Sequence, residues 1–450
     1  MSNPFENLPA CLQPYIVMDA LNQPIPALTG PFRLTGPEEG LLEADLVFQW
    51  SPSTAIVFDG ACSVPSAQVD LDKEWRIEPT EANAEVPVLV TRTSFGESPV
   101  QCRGLLNGEM TLGSKPFDTL RFSLPDFPDY IGAPCRLGEG VTAGFTRGRI
   151  QVENDNGVLI LDEIHEVKEL AKEARAGRGS VLTHVGQWIP ASGSMTPAQA
   201  EEVLSMLRLW FAFLRGAWSG LLFPQGLTQE EVTWRQLAPW IVSPSKDVPT
   251  WMPTRTPLDL AALFKGFSKR WGEDAWRSPL TTAIWWLVEA NAPETRVHTR
   301  VILAQVALEL LAWVHVVETQ HLHSRHDFRR LTAAGRLRAL LQVCGIPLDV
   351  PDYMDALSPV VDRDAFDGPG VVTRIRNVLV HAGEARSDVL AALDGAGRWQ
   401  VSQLALQYVD LVLLAVCRHD AHYARRGWSG WKGDDEILVP WTVTVSSSNP

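Results

Sequence analysis

At 450 residues the chain has room for two to four domains, and its 45% hydrophobic content allows a large core. A net charge of −14 would repel nucleic acid and anionic membranes from the surface as a whole, so any RNA contact has to be local. Six scattered cysteines with no Cys-x-x-Cys exclude the usual zinc ribbons and predict reduced thiols in a cytoplasmic protein.

Residues 1 to 190 read as mostly strand. Short apolar or alternating runs bounded by Gly, Pro, Asp and Asn occur at Leu46–Phe48, Ala55–Phe58, Val88–Val90, Leu120–Leu124 and Gly148–Val152. Asn156-Gly157, between Ile150–Val152 and Val158–Leu161, is the strongest hairpin signal. Glu163–Ala176 is the helical exception, and Val181–Trp188 returns to strand. No basic stretch followed by an apolar core opens the chain, so a signal peptide is not expected.

Thr196 should cap a helix over Pro197–Gly216 that buries Val203, Met206, Leu207, Trp210, Phe211 and Leu214. Gln225–Pro257, rich in Trp and Pro, reads as an ordered but irregular connection, since so much indole is costly to leave in water. Helices are expected at Leu258–Trp271, Leu280–Ala290, Glu294–Gln320, Asp327–Cys344, Val371–Ala382 and Trp399–Arg425. Ile437–Val439 suits an edge strand. The apolar run Val301–Val317 contains Gln305, Glu309 and His315, which makes it too short and too polar to span a bilayer. The fold class is therefore α+β, a sandwich-like β-rich domain followed by an all-α bundle. Its divisions are a β-rich regulatory domain (1–190), a helical, Trp/Pro-rich connection (191–290), the bundle (291–430) and a C-terminal tail (431–450).

Within the bundle, Pro369–Gly383 has both ends marked. Asp367 can cap its start, Pro369 suits the first turn, and Gly383 suits the left-handed position after the end. Val371, Ile375, Val378 and Leu379 form an apolar stripe. Across it run Arg374, Arg376, Asn377 and His381. Asn377 and His381 share a helix face, as do Arg374 and His381, and Arg376 reaches that face by its length. Histidine is the side chain that moves protons near neutral pH, and a guanidinium supplies directed positive charge against a phosphorane.

The run Arg376-Asn377-Val378-Leu379-Val380-His381 resembles the Arg-x4-6-His motif of HEPN ribonuclease domains. A strand reading Thr183-His184-Val185-Gly186, a polar turn at Ala191-Ser192-Gly193 and the following amphipathic helix are similar to the junction of ApeA-type bacterial defence proteins. The resemblance implies a metal-independent endoribonuclease with no cofactor. A ribose 2′-hydroxyl attacks the adjacent phosphate and leaves a 2′,3′-cyclic phosphate. His381 would serve as general acid or base, Arg376 would stabilise the phosphorane, and Asn377 would orient them, with Arg374 in support. By the same resemblance Glu309 on the preceding long helix is a candidate to hold Arg376 or His381; its other reading is a solvent-facing carboxylate. It further implies a homodimer with a composite site, RNA as substrate, a phage-derived trigger sensed by the β-rich domain, and a setting in abortive anti-phage defence.

Arg329, Arg330, Arg336 and Arg338 either contact RNA backbone or form the exposed face of an amphipathic helix. Arginine replaces lysine throughout Glu294–Gly430, which suits phosphate recognition or reflects codon bias. His321, His323 and His326, and likewise His419 and His422, lack the spacing of a zinc site and read as solvated helix ends. A rival reading makes the bundle a non-catalytic dimerisation or RNA-docking module, with Arg376 and His381 structural.

Overall fold

The structure, a computed structural model, describes residues 5, 7–64, 69–80, 84–94, 99–138, 144–243, 248–364, 366–380 and 393–443. It is α+β: two β-sheets come first and a mostly helical region follows.

The first sheet contains β1 (Ile25–Thr29), β2 (Phe32–Thr35), β3 (Gly40–Gln49), β4 (Ala55–Ser63), β5 (Trp75–Pro79), β6 (Val86–Thr93) and β7 (Val100–Leu106). Its order is β1-β3-β2-β5-β6-β7-β4, and a further β3–β4 pairing closes six of the seven strands into a small antiparallel barrel. Closure is possible because β3 is long enough to pair with β1 and β2 along one edge and β4 along the other. It removes the edge that an open sheet would expose. Alternation along the strands sends Phe32, Leu34, Leu42, Leu46, Phe58 and Ile77 inward.

The second sheet has the order β10-β11-β12-β13-β9-β14-β15-β8. These are β8 (Met110–Leu112), β9 (Thr119–Pro125), β10 (Ala133–Leu137), β11 (Gly144–Asn154), β12 (Gly157–Glu163), β13 (Leu182–Pro190), β14 (Leu222–Thr228) and β15 (Glu231–Leu237). The Asn156-Gly157 hairpin forms one residue earlier than its signal: Asp155-Asn156 make the turn and Gly157 already pairs with Asn154. Asn154 Oδ1 accepts from the amides of Asn156 and Gly157, and a Cβ on Gly157 would lie 2.4 Å from the Ile189 carbonyl oxygen. Gly157 is thus required by close strand packing.

The strands run on to Leu237, past the boundary expected at 190, so Gln225–Pro257 is not an irregular connection throughout. The β14–β15 hairpin turns on Gln229 and Glu230, both with positive φ (53° and 68°). That conformation usually takes Asn-Gly, and without it the turn has no sequence signature.

The short helix α1 (Lys168–Glu173) lies between β12 and β13, and α2 (Pro197–Arg215) lies between β13 and β14, opened by the expected Thr196 cap. Thr196 Oγ1 accepts from the Gln199 amide, Gln199 Oε1 accepts from the Thr196 amide, and Gly216 ends the helix at φ +71°. One hydrophobic core runs from the second sheet (Leu120, Phe122, Trp188) through α2 (Trp210, Phe211) into the bundle. A second core joins the barrel to the other side of that sheet through Leu182, Val185 and Leu222. The second sheet is therefore a shared middle layer, sandwich-like against the barrel and covered by helices on its other face.

The bundle comprises α3 (Ala261–Gly272), α4 (Asp274–Asn291), α5 (Val297–Ala312), α6 (Arg325–Arg330), α7 (Ala333–Val343), α8 (Ser358–Asp364), α9 (Gly368–Val380) and α10 (Gly395–Val416). α5 continues as a π-helical turn through Trp313–Thr319. The expected single helix Asp327–Cys344 is broken at Leu331-Thr332, because the Thr332 hydroxyl accepts from the Gly335 amide and restarts it. The run Val301–Val317 lies inside a longer helix, Val297–Thr319, which like Gly395–Val416 is long and apolar enough to cross a membrane by length and composition alone. Of the 18 most apolar consecutive residues in each, 61% and 89% respectively are buried inside the protein, as in core helices.

After α10 the chain forms a hairpin of β16 (His422–Ala424) and β17 (Glu436–Leu438), so Ile437 pairs within the helical half rather than on a main sheet. Residues 431–443 are not a loose tail: Val439 is buried and the Trp441 indole donates to the His419 carbonyl at 2.7 Å. A buried ion pair fixes this hairpin. Arg426 meets Asp410 of α10 and donates to Asn291 Oδ1 at 2.8 Å. Asn291 in turn donates to the carbonyls of Gly216 and Pro249 at 2.8 Å each, tying α2, the connection and the bundle together.

Candidate functional site

The motif helix α9 starts where the sequence places it. Asp367 Oδ1 accepts from the Gly370 amide at 2.8 Å, and Pro369 sits in the first turn. Close packing fixes the position of that start: a Cβ on Gly368 would lie 1.8 Å from the Tyr408 hydroxyl of α10. Val371, Val372, Ile375 and Val378 are buried against α5, α7 and α10, and Leu379 is half-buried. The polar edge then faces outward at the helix end, where Asn377 is exposed and Arg374 and Arg376 are half-buried.

Arg376 Nη1 donates to Asn377 Oδ1 at 3.2 Å, a contact between two of the three motif residues. The Nε atoms of Arg374 and Arg376 are buried without a hydrogen-bond partner, and among the described residues neither guanidinium has a carboxylate partner. Among the described residues, this edge therefore carries positive charge without an acidic partner. His381 and Gly383 lie outside the described residues.

Glu309 does not hold Arg376. Its Oε2 lies 3.4 Å from Arg336 Nη1, and its Oε1 accepts from Gln305 Nε2 at 2.9 Å. The reason is geometric: Glu309 ends α5 on the side covered by α7, which brings Arg336 within reach first. Arg336 also donates to the Arg329 carbonyl at 2.9 Å. The Arg329 guanidinium lies 5.3 Å from the centre of the Trp313 ring.

Arg338 forms two bonds to Asp367, 2.6 Å from Nε to Oδ2 and 2.8 Å from Nη2 to Oδ1. Burial pushes the Asp367 carboxyl up, but Arg338 and the Gly370 amide pull it down further, leaving it below the usual carboxylate range. Of the four arginines offered as RNA contacts, Arg338 is therefore spent on holding α9 and Arg336 on Glu309. Arg329 and Arg330 remain exposed on α6.

The histidines divide differently from expectation. His419 is buried, not solvated: its Nε2 faces the His422 carbonyl at 3.0 Å, and burial lowers its pKa. His321 Nδ1 lies 3.1 Å from the Val317 carbonyl, at the end of the π-helical turn. The Thr183-His184-Val185-Gly186 strand has a packing role. His184 stacks on Tyr130 at 5.6 Å and meets the edge of Phe127, and burial holds its pKa down to about 3, so the ring is neutral. A Cβ on Gly186 would lie 2.2 Å from the Phe122 ring.

The expectation of reduced thiols fails at one pair. Cys11 and Cys135 form a disulfide with Cα atoms 5.4 Å apart, beside the buried pair Arg149–Asp162. The other four cysteines are free and buried.

Residues 113–248 match the family model of the YopA central domain, and residues 273–436 match that of the YopA C-terminal domain. The first match follows the second sheet to its last strand, not a boundary at 190. A curated relative is the SPbeta prophage-derived uncharacterized protein YopA of Bacillus subtilis (strain 168). It is 22% identical over 418 residues, which cover 90% of this chain and 92% of the relative. No solved structure matches the chain. The chain thus has a two-domain architecture, β-rich then helical, related to this uncharacterized prophage protein family.

Proposed function

We propose that the helical half is a metal-independent endoribonuclease of the HEPN kind, regulated by the β-rich half. The observation that carries this reading is the Arg376–Asn377 contact on the outer edge of a rigidly seated helix, with neither Arg374 nor Arg376 neutralised by a described carboxylate. His381 follows Val380 directly and supplies the proton-transfer group. Arg376 meets the charge that develops on phosphorus as the ribose 2′-hydroxyl attacks, and Asn377 holds the guanidinium. Loss of the 5′-oxygen leaves a 2′,3′-cyclic phosphate.

With one motif per chain, a second copy supplies the second proton-transfer group, so the active species is a homodimer joined over the exposed edge of α9. The prophage origin of the relative supports a setting in conflict between phage and host, with the β-rich half sensing a phage-derived trigger. In that reading the protein acts in the cytoplasm, where its RNA is.

The test is cleavage of a labelled RNA by purified protein in EDTA. Cyclic phosphate ends that disappear in His381→Ala support the proposal. Strict need for a divalent metal would reject it, and absence of cleavage with retained RNA binding would favour the docking module. The pairing of Glu309 with Arg336 lends that second reading its one point, since Arg376 is then without the carboxylate expected of α5.

A further inference from the structure

On the outer face of the barrel, cross-strand register aligns four exposed, charged side chains in one row across β3, β4, β7 and β6. Asp45 stands opposite Asp59, Asp59 opposite Arg103, and Arg103 opposite Arg92. Neighbouring strands lie about 4.8 Å apart, so the row is about 14 Å long, acidic at one end and basic at the other. A β-bulge completes it. In unbroken register Thr91 would stand opposite Arg103, and the shift between Val90 and Arg92 puts the second arginine there instead.

Like charges directly opposite one another destabilise a sheet, and this row holds two such pairs for its one favourable pair. Among the described residues, the ion pairs of the barrel are Arg33–Glu78 and Arg76–Glu85, and no member of the row takes part in one. An alternating order would cancel the charges within the chain. Segregated doublets instead project a field outward, which serves association and not folding.

The next row on the same face is apolar. Val47 stands opposite Val57, Val57 opposite Leu105, and Leu105 opposite Leu89, which is 51% exposed. Residues two apart on a strand point the same way, so this row runs beside the charged one at a spacing of about 7 Å.

We propose that this face is a docking surface for a second copy of the chain. A two-fold axis in the contact plane, parallel to the strands and between β4 and β7, lays the charged row on itself in reverse. Asp45 then meets the partner's Arg92, and Asp59 meets the partner's Arg103. The same rotation lays Val47 on the partner's Leu89 and Val57 on the partner's Leu105. Both rows complement themselves under one operation, which is what an isologous interface requires. A wholly acidic or wholly basic partner would meet half of the row with its own sign, so the charge order favours a second copy. Because the barrel is convex, the contact is confined to these four strands, and it is a weak one that grows with concentration and is screened by salt. It shares no residue with the edge of α9 and is independent of the ribonuclease reading.

Sedimentation of the full chain at low ionic strength tests it with two charge-reversed variants. Asp45→Arg with Asp59→Arg makes the row wholly basic, and Arg92→Asp with Arg103→Asp makes it wholly acidic. Wild-type protein should gain mass with concentration, one doubling beyond either variant alone, and added salt should remove that gain. Each variant should associate through this face at least about tenfold more weakly, whereas an equimolar mixture of the two should restore the contact. All four side chains are exposed, and recovery in the mixture would itself show that both variants are folded. Should a double reversal unfold the chain, Asp59→Asn and Arg103→Gln each remove one charge and should each weaken the same step. Equal mass for wild type and variants at every concentration overturns the proposal. So does a wild-type gain that the variants lose and the mixture fails to restore, because the row would then not be complementary to itself.

Discussion

Arg376 and Asn377 touch at the exposed edge of α9, and single substitutions there test the proposed chemistry apart from the scaffold. Arg376→Ala removes no ion pair among the described residues, so it should cost about 1 kcal/mol or less of stability while abolishing cleavage. Arg374→Ala is the comparison; if it proves the more damaging in the RNA assay, the motif arginine is Arg374. Asp126 gives a second residue-scale prediction. Burial raises its carboxyl to about 6, with Arg215 and the Val181 amide opposing. A folded pKa above the unfolded value of about 3.9 means that its stabilising contribution is complete below pH 4 and lost as pH rises through 6. Asp126→Asn keeps the acceptor for the Val181 amide and removes the buried charge, so it should stabilise the protein by on the order of 2 kcal/mol at pH 8. That gain should shrink toward zero near pH 4. A thermal-melt difference that does not change between those pH values would contradict it.

Among elements, α9 depends on one capping residue with two duties. Asp367 caps the helix and binds Arg338 on α7, which fixes the motif edge to a neighbouring helix. Asp367→Ala should cost about 1–2 kcal/mol, most of it from the cap because the ion pair is partly exposed. Hydrogen exchange should show residues 368–380 opening ahead of the rest of the bundle, and unchanged protection there would show that packing alone seats the helix. The depressed carboxyl sets the sign with pH: this contribution is present above about 3.9 and lost as pH falls through the lower folded value. Arg338→Ala should therefore bring the acid loss of α9 protection to higher pH.

For the whole molecule, the middle sheet decides what can be separated. A fragment ending at residue 190 loses α2, β14 and β15, which uncovers an edge of β9 and the face holding Leu120, Phe122 and Trp188. It should aggregate, whereas the barrel and second sheet together with α2, through residue 243, should stay dispersed more readily. Equal behaviour of the two fragments by light scattering would show that the sheet does not need its later strands. Sedimentation of the full chain should give a dimer at working concentration, and an active monomer would dismiss the composite site.

By itself the sequence determined the local structure: strand alternation before residue 190, the Thr196 and Asp367 caps, and the apolar stripe of α9. Each of these is set by neighbours within a few residues, where periodicity and side-chain-to-backbone bonds act directly. The Arg376–Asn377 contact was legible for the same reason, since adjacent residues form it. Only the tertiary structure decided the partner of Glu309, which is Arg336, 27 positions away, and the bond from Cys11 to Cys135 across 124 positions. It also decided the β14–β15 hairpin, whose Gln229-Glu230 turn is held by strand pairing and not by its own preference.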